Sequence, residues 1–242
     1  MKQTRIAFSA KCLTAINLVE IVLLAAFLVL LSGDVMTSPG PSHNTGDVPT
    51  FLQKPGLKTA HLNTRSLPKH LDELKIFLLD HPFDIISLNE TWLNSSWTAI
   101  DGYNLVRYDR PDEQRGSGVA IYYKSKFNVR PRPGIPTHGF ETVWIEINFP
   151  NKSELLVSAL YRPPNVDLNN FIPNLEKTVD VASSKRDEIL LLGDLNYDLS
   201  PEKLPHGRKE VIKLFNIYQF SQLIEDPTRI TEISKTLIDV RH

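Results

Sequence analysis

The sequence predicts mixed α/β layers, and three observations predict them. Short apolar runs of strand length alternate with stretches whose apolar residues recur at helical spacing. Several neighbouring strand candidates lie close enough to pair as hairpins, which favours a mixed sheet over a purely parallel one. The composition, 41% hydrophobic and 23% charged, is that of a folded globular chain.

In chain order, Leu57–Leu62 reads as a strand. Leu67–Leu79 carries Leu71, Leu74, Ile76, Phe77 and Leu78, the pattern of an amphipathic helix. Phe83–Leu88 is a second strand. Gly118–Tyr123 is a third, opening after a Gly-Ser-Gly turn. Thr142–Phe149 sets Val143, Ile145 and Ile147 at alternate positions, as a half-buried strand does. Glu154–Tyr161 is a further strand and Phe171–Val181 a helix. Glu188–Leu192 is apolar after its first residue, the mark of a strand buried on both faces. Val211–Tyr218 closes the series as a helix. These elements place one folded domain at 57–242.

Two segments precede it. Residues 1–37 form an apolar leader: Lys2, Arg5 and Lys11, then the unbroken apolar run Ile21–Leu31. A membrane span needs roughly 20 apolar residues, so this run fits a signal-peptide core better. Extending it back to Ile16 brings in Glu20, costly at the centre of a bilayer; residues 16–32 are the candidate membrane contact. Residues 38–56, rich in Pro, Gly, Ser and Thr, read as a flexible linker.

Bulk charge and cysteine usage exclude several function classes. The net charge is −1, so any DNA contact has to come from a local patch rather than a global field. The single cysteine, Cys12, lies in the leader, which removes disulfides and cysteine-ligated zinc from the domain. The seven histidines are scattered without metal-ligand spacing.

The polar residues at strand ends carry the functional signal. Leu57–Leu62 stops at Asn63, and Ile85–Leu88 at Asn89-Glu90. Leu155–Leu160 stops at Tyr161-Arg162-Pro163-Pro164, and Ile189–Leu192 at Gly193-Asp194-Leu195-Asn196. Open sheets place sites in the crevice outside strand ends. Each residue also has a plain structural reading: a turn-forming Asn, a solvated Glu, an Asx-turn Asp, a core Tyr with a bonded tip. Two acids, two amides and a phenol suit a hard cation such as Mg²⁺ and the cleavage of a phosphodiester. No Ser–His or Cys–His pairing suggests acyl transfer.

Taken in order, Asn63, Asn89-Glu90-Thr91-Trp92, Gly116-Ser117-Gly118-Val119-Ala120, Tyr161-Arg162-Pro163-Pro164, Gly193-Asp194-Leu195-Asn196 and Thr236-Leu237-Ile238-Asp239 resemble the endonuclease/exonuclease/phosphatase superfamily. The Glu-Thr-Trp and Tyr-Arg-Pro-Pro pieces resemble its LINE-type (non-LTR) retrotransposon branch. The leader ending Gly33–Pro41 resembles a ribosome-skipping peptide, with Met36 and Ser38 where that pattern has Glu and Asn.

The resemblance implies a four-layer α/β sandwich with two mixed sheets and a Mg²⁺-dependent, DNA-nicking phosphodiesterase, with Mn²⁺ as an alternative ion and no small-molecule cofactor. It implies Glu90 and Asn63 at the metal. Tyr161 would bond the scissile phosphate, Asp194 would act on the attacking water, and Asn196 would hold water and phosphate in line. Asp239 would orient a histidine. Arg115 and Arg162 are candidate DNA-phosphate contacts on charge and position.

The family closes with Ser-Asp-His beyond the position of Asp239. The expectation is therefore a chain cut off before its last strand and motif, impaired in catalysis, with no reverse-transcriptase module. Two rival readings stay open: a catalytically dead nuclease-like relic or binding module, and a secreted or membrane-tethered phosphoesterase. Location follows the reading: nucleus or cytoplasm by family, membrane or secretory pathway by leader.

Overall fold

The computed structural model describes residues 56–93, 98–109, 118–136, 139–197, 206–223, 229–230, 235–236 and 239–241. The leader and all of the linker except Gly56 lie outside the described residues, as do Arg115 and His242. No helix among the described residues is long and apolar enough to cross a membrane.

Two mixed sheets form the body. The first has the order β1-β2-β4-β3, from β1 (Thr59–Asn63), β2 (Ile85–Asn89), β3 (Tyr103–Tyr108) and β4 (Val119–Lys124). β1 and β2 run parallel; the other pairs are antiparallel. The second has the order β11-β8-β7-β6-β5, from β5 (Asn128–Pro131), β6 (Glu141–Asn148), β7 (Glu154–Tyr161), β8 (Ile189–Asp194) and β11 (Asp239–Arg241). Here β7 and β8 are parallel. β9 (Arg229–Ile230) and β10 (Lys235–Thr236) make a separate antiparallel pair.

Alternation along each strand decides what fills each layer, because successive side chains leave opposite faces. On β6, Val143, Ile145 and Ile147 enter the core between the sheets, while Trp144 faces the helices. On β8, Leu190 and Leu192 face the opposing sheet and Ile189 and Leu191 the helices. Helix α1 (Leu67–Asp80) covers the outer face of the first sheet through Leu67, Leu74 and Leu78. Helices α2 (Leu168–Lys185) and α3 (His206–Ile217) cover the second through Phe171, Leu175, Val179, Val211 and Leu214. The order helix, sheet, sheet, helix is the expected four-layer sandwich.

The helices and strands expected from pattern are present, with shifted ends. Helix α2 begins at Leu168 rather than Phe171, because the Asp167 side chain accepts the Asn169 amide and caps it there. Asn63 and Asp194 are the last residues of β1 and β8 rather than the residues just past them. Sequence pattern passed over β3 and β5. Strand β3 has no clean inside–outside alternation, and β5 is a short edge strand ending in Pro131, where a missing N–H is tolerated.

Candidate functional site

The two parallel pairs, β1/β2 and β7/β8, end at the same edge of the sandwich, and register lines up their last polar residues. In the first sheet Asn63 pairs with Asn89. In the second, Glu141 pairs with Tyr161, Tyr161 with Asp194, and Asp194 with Asp239, one row across four strands.

Cross-sheet hydrogen bonds join the rows. The Asn63 amide donates from Nδ2 to Glu90 Oε1 at 2.9 Å and to Asp194 Oδ2 at 3.4 Å. The Tyr161 hydroxyl donates to Glu90 Oε1 at 3.0 Å. Asn89, fully buried, donates to the Leu160 carbonyl at 3.0 Å and so ties β2 to β7 directly beneath the site.

Local backbone explains how these side chains come to face one another. Past β1 and β2 the ladder continues into the loops: Thr64 N bonds Asn89 O, Ser66 N bonds Glu90 O and Leu67 N bonds Thr91 O. Glu90 (φ 50°), Trp92 (φ 50°) and Asn196 (φ 47°) sit in the left-handed region, which non-glycine residues leave unless tertiary contacts hold them. Such strain gathered at one edge is the usual mark of a working site. Gly193 is required for a different reason: a Cβ there would meet the Leu160 carbonyl oxygen at 2.0 Å, so only glycine lets β8 lie this close to β7.

Charge is concentrated here. Asp194 is buried and Glu90 half-buried. Among the described residues Glu90 forms no ion pair with lysine or arginine; the donors to it are an amide and a phenol. Burial first, then the Glu90 carboxylate, pushes the Tyr161 phenol far above the ordinary tyrosine value. It therefore stays a neutral hydrogen-bond donor. The Asp194 carboxylate is oriented by the Asn196 backbone N–H, which donates to Oδ1 at 2.6 Å.

The donors fit a divalent cation. Two carboxylates converge on the Asn63 Nδ2 and offer the hard oxygens such an ion takes, while the Asn63 Oδ1 accepts the Arg65 backbone amide at 3.3 Å. No group of three or more His, Cys, Asp or Glu among the described residues is placed to hold a metal. Glu90 and Asp194 are the carboxylates at this edge that would hold such an ion.

Asn63, Glu90, Tyr161, Asp194 and Asn196 are thus brought together. Asp239 lies opposite Asp194 through its backbone, and its side chain lies outside what is described. Arg162 corrects an expectation. It is 5% exposed, and its guanidinium donates to the carbonyls of Leu195, Asn196 and Val166 rather than facing outward to a phosphate. Burial pulls its pKa below the ordinary arginine value, and the nearby Asp194 carboxylate opposes that shift.

Sequence reasoning missed Glu141. It opens β6 buried in the site row and accepts the Gly118 backbone amide at 2.6 Å, anchoring the start of β4. Gly118 sits at φ 96°, and a Cβ there would meet Thr91 Oγ1 at 2.5 Å. The signal was an acid at the head of an alternating strand, which reads as solvated until the register is known.

Comparison with known proteins bears on the family and the fold. The pattern of the Endonuclease/Exonuclease/phosphatase family matches residues 60–211. The RNA-directed DNA polymerase from mobile element jockey of Drosophila melanogaster is 27% identical over 114 residues, 47% of this chain. The matched segment spans 12% of that relative's length. The endonuclease domain of TRAS1, a telomere-specific non-LTR retrotransposon, superimposes with a TM-score of 0.62 at 14% identity, over 77% of this chain and 84% of that one. The 3′ phosphatase NExo from Neisseria, bound to product DNA hairpin, superimposes at 0.56 with 18% identity, over 77% and 86%.

Proposed function

Because the chain belongs to the endonuclease/exonuclease/phosphatase family, we propose that it is a Mg²⁺-dependent DNA-nicking phosphodiesterase of a non-LTR retrotransposon, with Mn²⁺ able to replace Mg²⁺. The observation that carries this reading is the convergence of Glu90 and Asp194, from opposite sheets, on the single side-chain amide of Asn63. The likeness to the jockey and TRAS1 proteins supports DNA as the substrate and the retrotransposon branch as the origin. By the same likeness the domain works in company with a reverse transcriptase.

The residues divide the work. Glu90, with Asn63 and Asp194 beside it, would hold the ion, which supplies charge neutralisation at the phosphate when bound. Tyr161, kept protonated by its surroundings, donates its phenol hydrogen to a phosphate oxygen. Asp194 orients the attacking water and accepts its proton, its own carboxylate fixed by the Asn196 amide. Asn196 keeps water and phosphate in line. By the family resemblance Asp239, opposite Asp194, would orient a histidine, and Arg115 would contact the DNA backbone.

Supercoiled plasmid provides the test. Mg²⁺ should convert it to nicked circle, EDTA should stop the conversion, and Glu90→Ala should reduce it to the rate without protein. Equal nicking by Glu90→Ala and the unsubstituted chain would end the reading. The same reading expects a tagged chain in the nucleus; a tag confined to the secretory pathway would favour a phosphoesterase directed by the leader.

A further inference from the structure

We propose that Arg162 is a positioning residue that sets the geometry of Asp194 and Asn196, a role that rests on the phosphodiesterase reading above. No other side chain described in the domain grips so much of the site's backbone. The guanidinium donates from Nε to the Leu195 carbonyl at 2.5 Å and from Nη2 to the Asn196 carbonyl at 2.6 Å. Its Nη1 donates to the Val166 carbonyl. The main chain of the same residue closes the clamp: its amide donates to the Asp194 carbonyl at 3.0 Å, and its carbonyl accepts the Asn196 side-chain amide at 2.9 Å. Three consecutive residues, Asp194, Leu195 and Asn196, are thereby held by one.

The clamp meets a need of this loop. Asn196 stands at φ 47°, a conformation an asparagine leaves when unsupported. That conformation aims its amide at Asp194 Oδ1. The chain of cause runs from guanidinium to loop carbonyls, to the Asn196 backbone, to the orientation of the Asp194 carboxylate. The Phe171 ring lies 5.9 Å from the guanidinium carbon and backs it from the helix layer. Three donors splayed in a plane are an arginine property; a lysine ammonium is a point charge on a flexible stem and cannot span Leu195, Asn196 and Val166 together. Burial in this clamp explains why so charged a residue, next to a phenol proposed to meet phosphate, is not itself turned to solvent.

Arg162→Lys and Arg162→Ala, made in the full chain, test the role with three readouts: plasmid nicking, amide hydrogen exchange and thermal melting. Displacing a catalytic pair by about 1 Å costs on the order of 100-fold, so Arg162→Ala should lose about that much in kcat with KM little changed. Exchange at the Asn196 amide should quicken by roughly 10-fold while amides in β6 keep their protection. Added guanidinium ion should restore part of the kcat of Arg162→Ala and none of that of Glu90→Ala. If Arg162→Ala does not fold, Arg162→Lys carries the same expectations. Full activity in Arg162→Lys with unchanged Asn196 exchange would overturn the proposal. So would exchange that quickens evenly across the domain, which marks a general brace. If the unsubstituted chain fails to nick, the functional reading falls; selective quickening at Asn196 then still supports the clamp, and its absence refutes it.

Discussion

Asp84 and Glu90 flank the same strand, one just before β2 and one just after it, and the fold treats them in opposite ways. Asp84 is buried with its own cations: Lys124 Nζ at 3.2 Å, Lys126 Nζ at 3.0 Å, and the Lys58 amide donating at 3.0 Å. Glu90 is bonded by the Asn63 amide and the Tyr161 phenol and forms no lysine or arginine ion pair among the described residues. An acid that closes a fold brings its countercharge with it. Glu90 is held by neutral donors, which fix its direction without cancelling its charge, as its proposed role at a cation requires. The contrast turns a static distinction into measurable ones.

The largest expected effect separates the two acids outright. Glu90→Gln keeps the shape and both hydrogen bonds but removes the charge. It should lower kcat for nicking by about 10³-fold, the several kcal/mol that charge stabilisation at a phosphate supplies. Its unfolding free energy should move by less than about 0.5 kcal/mol. A Glu90→Gln chain that nicks normally, or melts far below the parent, would erase the distinction.

Tyr161→Phe comes next. Losing one preorganised donor should lower kcat by about 10²-fold. Because burial and Glu90 hold the phenol up, a metal-free ultraviolet titration of the parent against Tyr161→Phe should show no Tyr161 limb up to about pH 10. A limb in that range would mean the phenol is less enclosed than described.

Asp84→Asn should show the reverse pattern: a loss of about 2 kcal/mol in unfolding free energy, with nicking kept. The figure is discounted from a fully buried pair because the Lys126 side chain is 62% exposed and therefore well solvated. Denaturant titration measures it.

The smallest effect is in pH. Burial alone would raise the Asp84 pKa, but the Lys58 amide, Lys126 and Lys124 together draw it below the ordinary carboxylate value. A depressed folded pKa adds stability that is present above the unfolded value and lost as pH falls through the folded one. The parent should therefore lose stability as pH drops below about 4, and Asp84→Asn should lose less of it over that window. Parallel curves for the two proteins would mean the lysines do not hold the carboxylate as drawn.

Much of this was legible before any coordinates. Asn63, Tyr161 and Asp194 close apolar runs, Glu90 and Asn196 lie within two residues of such a close, and an apolar run is visible in one dimension. That these ends meet was implied by the family resemblance, and it depends on the parallel pairing of β1 with β2 and of β7 with β8. Two features did not follow. The part played by Arg162 depends on where its guanidinium finds carbonyls: that of Val166 is local, but those of Leu195 and Asn196 come beside it only through the β7–β8 pairing. Charge and position suggested a surface contact because an arginine is seldom buried unless paired. Glu141 and Asn89 went unassigned for a related reason: their partners, Gly118 just before β4 and Leu160 on β7, are distant in sequence. Strand β3 was missed because its half-exposed pattern YNLVRY lacks the alternation a reader looks for.

The glycine pinched between β7 and β8 has one more implication. With the Leu160 oxygen filling the space a side chain would need, the two strands can mesh in a single frame. Because the pleat reverses at every residue, inserting or deleting one residue within β7 would carry Tyr161 out of the row and into the helix layer. Variation among related chains should therefore accumulate as lengthened or shortened surface connections, and almost never as a changed residue count inside these two strands.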